Sequence, residues 1–155
     1  MTEWREDLKR TLLGSGIEER RIVFLIADTQ IFSESCVEDI NGILNSGDVP
    51  NIYNNEETDR IMNAMRSVAL DAGVVPTREN MFALFLNRVK QNLHLIVCMS
   101  PLGDAFRNRL RMFPSLVNCC TIDWFSTWPE EALQSVAADS LAGIVYLMIL
   151  RHIPL

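Results

Sequence analysis

Apolar residues follow two kinds of pattern along this chain, and the alternation between them predicts the fold class. Trp4, Leu8 and Leu12 recur at helical spacing, which predicts a short amphipathic helix broken by Gly14 and Gly16. The next run, Ile22, Val23, Phe24, Leu25, Ile26 and Ala27, is continuously apolar and ends at Asp28. That is the pattern of a strand buried on both faces of a parallel sheet. Ser33 then caps a helix whose inward positions are Val37, Ile40, Ile43 and Leu44, with Gly47 just beyond it as a left-handed stop. Asp48, Val49, Pro50 and Asn51 make a loop.

Two further helices are predicted, one from about Glu56 through Ile61, Met65 and Val68 to Gly73, the other from Thr77 through Met81, Leu84, Phe85 and Val89. A second buried-strand run, Leu93 to Met99, is stopped by Ser100 and Pro101. Asp104 to Met112 reads as a basic helical segment and Val117 to Ile122 as a shorter strand. Pro129 fits the first turn of a helix that continues through Leu133 and Val136. Strands alternating with helices predict an α/β fold with a parallel sheet. The tail is different: Leu141, Ile144, Val145, Leu147, Met148, Ile149, Leu150 and Ile153 leave almost no polar face. It is expected to be buried, either against the sheet or by self-association. The second is favoured, because fitting a segment to a core needs close complementarity.

Composition narrows the classes. A length of 155 residues, 48% of them hydrophobic, supports one buried core and not two ordinary domains. A formal charge of −6 argues against nucleic acid as a partner, since phosphate binding is driven by clustered Lys and Arg. Cys36, Cys98, Cys119 and Cys120 lack both the Cys-x-x-Cys spacing of a zinc site and the density of a secreted disulfide scaffold, which fits a reduced, intracellular protein. The N-terminal residues lack the apolar core of a signal peptide. The longest apolar stretch, Leu141 to Leu150, is well short of the roughly 20 residues that span a bilayer, so no membrane partner is expected.

Candidate chemistry gathers where the strand runs end. An apolar strand that delivers an Asp at its carboxyl end is how P-loop enzymes place a carboxylate beside magnesium, and Asp28 stands there; an Asp that merely ends a strand is the plainer reading. Ser100 closes the second run, where a hydroxyl could lie beside Asp28 and sense a terminal phosphate, although Ser-Pro is commonly a turn. Arg107, Arg109 and Arg111 are two apart, so they splay around a helix and cannot all meet one phosphate; a solvated basic face is the alternative. His94 lies within an apolar strand and reads as a core histidine. Cys119 and Cys120 are adjacent, would point to opposite faces of a strand, and read as core residues.

Longer stretches carry a family resemblance. Asp28-Thr29-Gln30-Ile31, then Glu38-Asp39-Ile40-Asn41 and Leu44 to Asn51, are similar to dynein heavy chains, as is Ser100 to Phe125. Together these stretches organise most of Trp4 to Val136. The wording resembles the axonemal branch, and the position the fourth AAA+ module of the motor ring. The resemblance implies a partial P-loop NTPase (AAA+) domain, a three-layer αβα sandwich over residues 1–127. The start of a helical lid and a divergent apolar tail then fill 128–155. It also implies ATP or ADP with Mg as cofactors of the parent module. The implied partners are neighbouring AAA+ modules, microtubules and dynein intermediate and light chains, in the cytoplasm, cytoskeleton and cilium axoneme.

Carried over by residue, Asp28 matches the Walker B aspartate, which supports magnesium through water. Thr29 stands where active modules place the catalytic glutamate, and threonine has no carboxylate to act as base. Ser100 matches the sensor position. Cys119 falls at the usual arginine-finger site, leaving Arg109 or Arg111 as inter-module arginines. These 155 residues contain no Gly-x-x-x-x-Gly-Lys-Ser/Thr to cradle phosphates, and the coiled-coil stalk and microtubule-binding tip that the resemblance implies after such a module are expected to lie outside this piece. The expectation is a truncated piece of a minus-end-directed motor that does not hydrolyse ATP alone. A protein-interaction fragment using ring-contact surfaces and the apolar tail is the rival, and an autonomous ATPase is a weaker third.

Overall fold

A computed structural model describes residues 2–125 and 127–142, in two compact units that divide between Thr121 and Ile122. The first unit opens with helix α1 (Thr2–Gly16), followed by strand β1 (Ile22–Ala27) and a 3-10 turn over Asp28–Gln30. Helices α2 (Glu34–Ser46), α3 (Asn55–Asp71) and α4 (Arg78–Asn92) come next, then strand β2 (Leu93–Cys98), helix α5 (Asp104–Met112) and a single helical turn, α6 (Ser115–Asn118).

The caps of α2 act as the sequence predicts. Ser33 Oγ accepts from the Ser35 amide at the start of α2, and Gly47 ends that helix at φ +82°, where its amide donates to Ile43 O at 2.8 Å. Only a residue without Cβ takes that left-handed angle without strain. Asn54 and Glu57 form a reciprocal capping box on α3, at 2.7 and 2.9 Å, and Thr77 Oγ1 accepts from the Asn80 amide on α4. Ile61, Met65 and Ala69 line the buried stripe of α3, while Phe85 and Val89 do the same for α4.

Helix α1 departs from expectation. It runs through Gly14 and ends at Gly16, so the glycines do not break it where the pattern suggested. A Cβ on Gly16 would lie 2.2 Å from Phe85 Cε2 and 2.9 Å from Val89 Cγ2. The glycine lets α4 approach α1 closely; it is a packing residue.

β1 and β2 pair in parallel, Ile22 opposite Leu93 through to Ala27 opposite Cys98, and they are the two strands of the sheet among the described residues. Their burial alternates. Phe24, Ile26, Leu93, Leu95 and Val97 pack inward against the helices. Val23 and Leu25 are 61% and 60% exposed on the other face, with Ile96 at 45%. The strands were expected to be buried on both faces; among the described residues helices cover one. His94, read as a core histidine, lies on the open face and is exposed. The expected third strand, Val117 to Ile122, is also overturned: Pro114 leads into α6, Leu116 turns into the core, and Cys119 and Cys120 follow in a bend. The two cysteines therefore do not alternate across a strand, and Cys119 is exposed instead of buried.

Two clusters hold the unit together. Leu8, Leu12, Ile61, Met65, Phe85 and Val89 centre the larger, between α1, α3 and α4; Ile26, Val37, Ile40 and Leu116 form the smaller, between sheet, α2 and α6. Trp4 packs against both. Its ring meets Phe24 edge-on at 5.9 Å, and its Nε1 donates to Asp39 Oδ2 at 2.9 Å.

In the second unit, Pro129 caps helix α7 (Glu130–Leu141), one position ahead of the predicted first turn, and Gln134 Nε2 donates to Glu130 Oε1. The expectation for the apolar tail falls on residues beyond 142, outside the described ones.

Candidate functional site

Parallel pairing brings the carboxyl ends of β1 and β2 together, so the residues leaving both strands emerge on one edge. This is where ligands approach open α/β sheets. Asp28 leaves β1 half-buried, and Ser100 leaves β2 two residues after Cys98. Ser100 N donates to Asp28 Oδ2 at 2.9 Å, tying the two strand ends across 72 residues of sequence. The Ser100 hydroxyl accepts from the Leu102 amide at 3.3 Å, which leaves its own hydrogen to be donated elsewhere.

A second set of bonds fixes the turn after Asp28. Gln30 Oε1 accepts from the Ala27 amide at 2.9 Å, and Ile31 N donates to Asp28 O at 3.1 Å. Gln30 thus folds back on the strand end and holds the carboxylate's backbone, a role the sequence reading missed. The spacing of three between the donor amide and a Gln side chain is the usable signal, as in a capping box. Thr29 lies on the same turn and is exposed. It offers a hydroxyl but no carboxylate, so it cannot take a proton from water near neutral pH.

The arginines separate as their spacing requires. Positions two apart on a helix differ by about 200° around its axis. Arg109 turns toward α2 and meets Glu34 Oε1 through Nη2 at 3.1 Å and Nε at 3.2 Å, with 15% of its side chain exposed. Arg107 and Arg111, four apart, are exposed together on the side of α5 away from Arg109. Glu34, in the first turn of α2, had no assigned role from sequence; the contact spans 75 residues and leaves no local signal. The residues therefore bring Asp28 and Ser100 together, keep Thr29 beside them, and engage Arg109 elsewhere. Cys119, expected from the resemblance at the finger site, is exposed at the end of α6.

The residues present fit only part of a magnesium nucleotide site. Asp28 keeps Oδ1 available to accept from metal-bound water while Oδ2 is held by Ser100 N. Among the described residues no three His, Cys, Asp or Glu side chains gather as metal ligands, and no Gly-Lys-Ser/Thr loop exists in the sequence to cradle phosphates.

Comparison with known proteins places this geometry in a family. The profile of the P-loop containing dynein motor region D4 matches residues 1–151. Dynein axonemal heavy chain 1 of Mus musculus is 56% identical over 144 residues, covering 93% of this chain and 3% of the relative. Dynein axonemal heavy chain 6 of Homo sapiens is 50% identical over 135 residues, covering 86% and 3%, and dynein axonemal heavy chain 3 of Homo sapiens is 53% identical over 144 residues, covering 92% and 4%. The chain spans 3–4% of the length of these curated relatives. Its parallel α/β core is consistent with part of an AAA+ fold. A profile match over nearly its whole length decides the kinship: the chain belongs to the P-loop containing dynein motor region D4 family.

Proposed function

We propose that this chain serves as a nucleotide-linked, non-hydrolysing element of the motor ring of an axonemal dynein heavy chain. The observation that carries the reading is the Ser100 to Asp28 hydrogen bond, which sets a sensor-like residue against a Walker B-like carboxylate at one sheet edge. Residues 1–127 act as part of the large AAA+ subdomain and residues from 128 begin the lid. In the complete ring, ATP or ADP with Mg supplies the phosphate charge that this edge reads. Asp28 would hold a metal-bound water through its carboxylate, and the Ser100 hydroxyl would donate toward phosphate. Thr29 leaves the attacking water without a base, so the module reports nucleotide state without turning it over. The parent's role is minus-end-directed movement along microtubules of the cilium axoneme. Its partners are the adjoining ring modules and the intermediate and light chains. Arg111, exposed on α5, is better placed to reach a neighbouring module than Arg109, which must first leave Glu34.

Calorimetric titration of the 155-residue chain with magnesium ATP tests the reading. Affinity no better than about millimolar, about −4 kcal/mol, and no turnover are expected. Micromolar binding abolished by Asp28→Ala would return the chain to the autonomous ATPases.

A protein-interaction role has its own supporting observation. Val23, Leu25 and Ile96 form an exposed apolar face on the sheet.

A further inference from the structure

Away from the strand ends, the loop between α2 and α3 and the start of α4 line an open cleft of about 540 Å³. That is the size of a small-molecule site. Val49, Ile52, Met62 and Phe82 give it an apolar lining. Two polar groups break that lining. Asp48 Oδ1 and the Tyr53 hydroxyl are both closed to water and have no hydrogen-bond partner among the described residues. A buried polar atom left unpaired is destabilising. Both residues line one cleft, and each carries there a polar oxygen that a donor brought from outside would satisfy.

The chemistry of that group follows from the acceptors. An ionised carboxylate accepts only, and a phenol accepts or donates, so the complement is a donor, and a charged one is bound most strongly. The rim charges, Arg78 and Glu79 on the first turn of α4, are opposite in sign and leave Asp48 to set the charge of the interior. Phe82 and Tyr53 meet edge-on at 6.5 Å beside it, and aromatic faces also favour a cation.

We propose that this cleft binds an organic cation, a primary ammonium group on an apolar body, with Asp48 as counter-ion and Tyr53 as second acceptor. The ammonium seats between the two acceptors after small turns of the Asp48 and Tyr53 side chains expose their closed oxygens, while the apolar body lies on Met62 and Phe82. Burial pushes the Asp48 carboxyl above its ordinary range and the Tyr53 phenol far above its own. An arriving positive charge relieves that penalty at Asp48. A free amine and the lysine side chain of a partner protein share this chemistry.

The test titrates the full chain with phenethylamine and with its neutral analogue 2-phenylethanol, following the Met62 methyl resonance. The amine should saturate the shift at roughly tenfold lower concentration than the alcohol, and Asp48→Asn should remove that advantage. Glu131→Gln, at an exposed carboxylate of α7 outside the cleft, should leave it within about twofold. A third titration, with acetyl-lysine amide, distinguishes the sources: tighter binding than phenethylamine marks a lysine side chain, weaker binding a free amine. Equal binding of amine and alcohol, an advantage that survives Asp48→Asn, or no saturable shift below about 10 mM overturns the proposal. The amine and alcohol comparison requires no variant, so a misfolded Asp48→Asn protein leaves it decisive.

Discussion

Replacing Gly16 by alanine should destabilise the first unit, against the usual effect of that exchange. Alanine is favoured over glycine within a helix by up to about 1 kcal/mol, and less at the last helical residue, where Gly16 sits. The new methyl would lie 2.2 and 2.5 Å from two carbons of the Phe85 ring and 2.9 Å from a Val89 methyl. Carbon atoms in good contact stand about 3.5–4.0 Å apart, so more than about 1 Å of movement is needed. Phe85 has little room to yield. It is fully buried, stacks on Phe82 at 5.9 Å and meets Tyr53 edge-on at 5.9 Å. Overpacking of this kind costs about 1–3 kcal/mol, and the net loss should be about 1–2 kcal/mol after the propensity gain. Urea unfolding followed by far-ultraviolet circular dichroism measures it as a lower midpoint at unchanged slope. Phe85→Leu in the Gly16→Ala background should cost less than Phe85→Leu alone costs the wild type, because the smaller side chain clears the methyl. A Gly16→Ala protein as stable as the wild type, or one whose loss is indifferent to Phe85→Leu, would refute the close-approach argument.

Glu57 should govern part of the acid limb of stability. Burial raises its carboxyl, but the Asn54 amide and the Lys9 ammonium together outweigh that and hold it below its ordinary value of 4.5. A folded-state value below the unfolded one contributes stability above about pH 4.5 that is lost as pH falls through the folded value. Glu57→Gln, which keeps the capping acceptor but not the charge, should flatten the melting temperature against pH below about 4.5; an unchanged acid limb would contradict this. The Arg109 and Glu34 pair should show a coupling of at most about 1 kcal/mol in a double-mutant cycle, since Glu34 remains half exposed. A coupling well above that would mean the pair organises α5 more strongly than its solvent exposure allows.

Much of this fold can be read from local pattern, because caps and periodicity are local physics. Ser33, Gly47, Asn54 and Thr77 sit at helix ends for reasons contained within a few residues of each. The two apolar runs likewise identify β1 and β2, and their parallel pairing alone brings Asp28 and Ser100 within hydrogen-bonding distance. What the pattern does not carry is what lies opposite. Gly16 reads as a helix breaker until Phe85, 69 positions on, occupies the space its side chain would need. The β1 run looks buried on both faces because Val23 and Leu25 are as apolar as Phe24 and Ile26, although only the second pair meets helices here. Val117 to Ile122 has strand composition but follows Pro114, and Leu116 finds a place in the smaller core that a helical turn satisfies. Gln30 completes the strand-end turn and Glu34 holds Arg109 through side-chain bonds, and the Glu34 bond is too long in sequence for any window to detect.

The placement of Trp4 gives the protein an optical probe of its own architecture. Of the chain's three indoles, Trp124 and Trp128 are 65% and 63% exposed, while Trp4 is half-buried between the two cores with its N–H held by Asp39. Its emission should lie to the blue of the other two and resist acrylamide quenching. A red shift of that component would register the parting of α1 from α2 before either helix unwinds, so fluorescence can follow the seam between the cores while circular dichroism follows the helices.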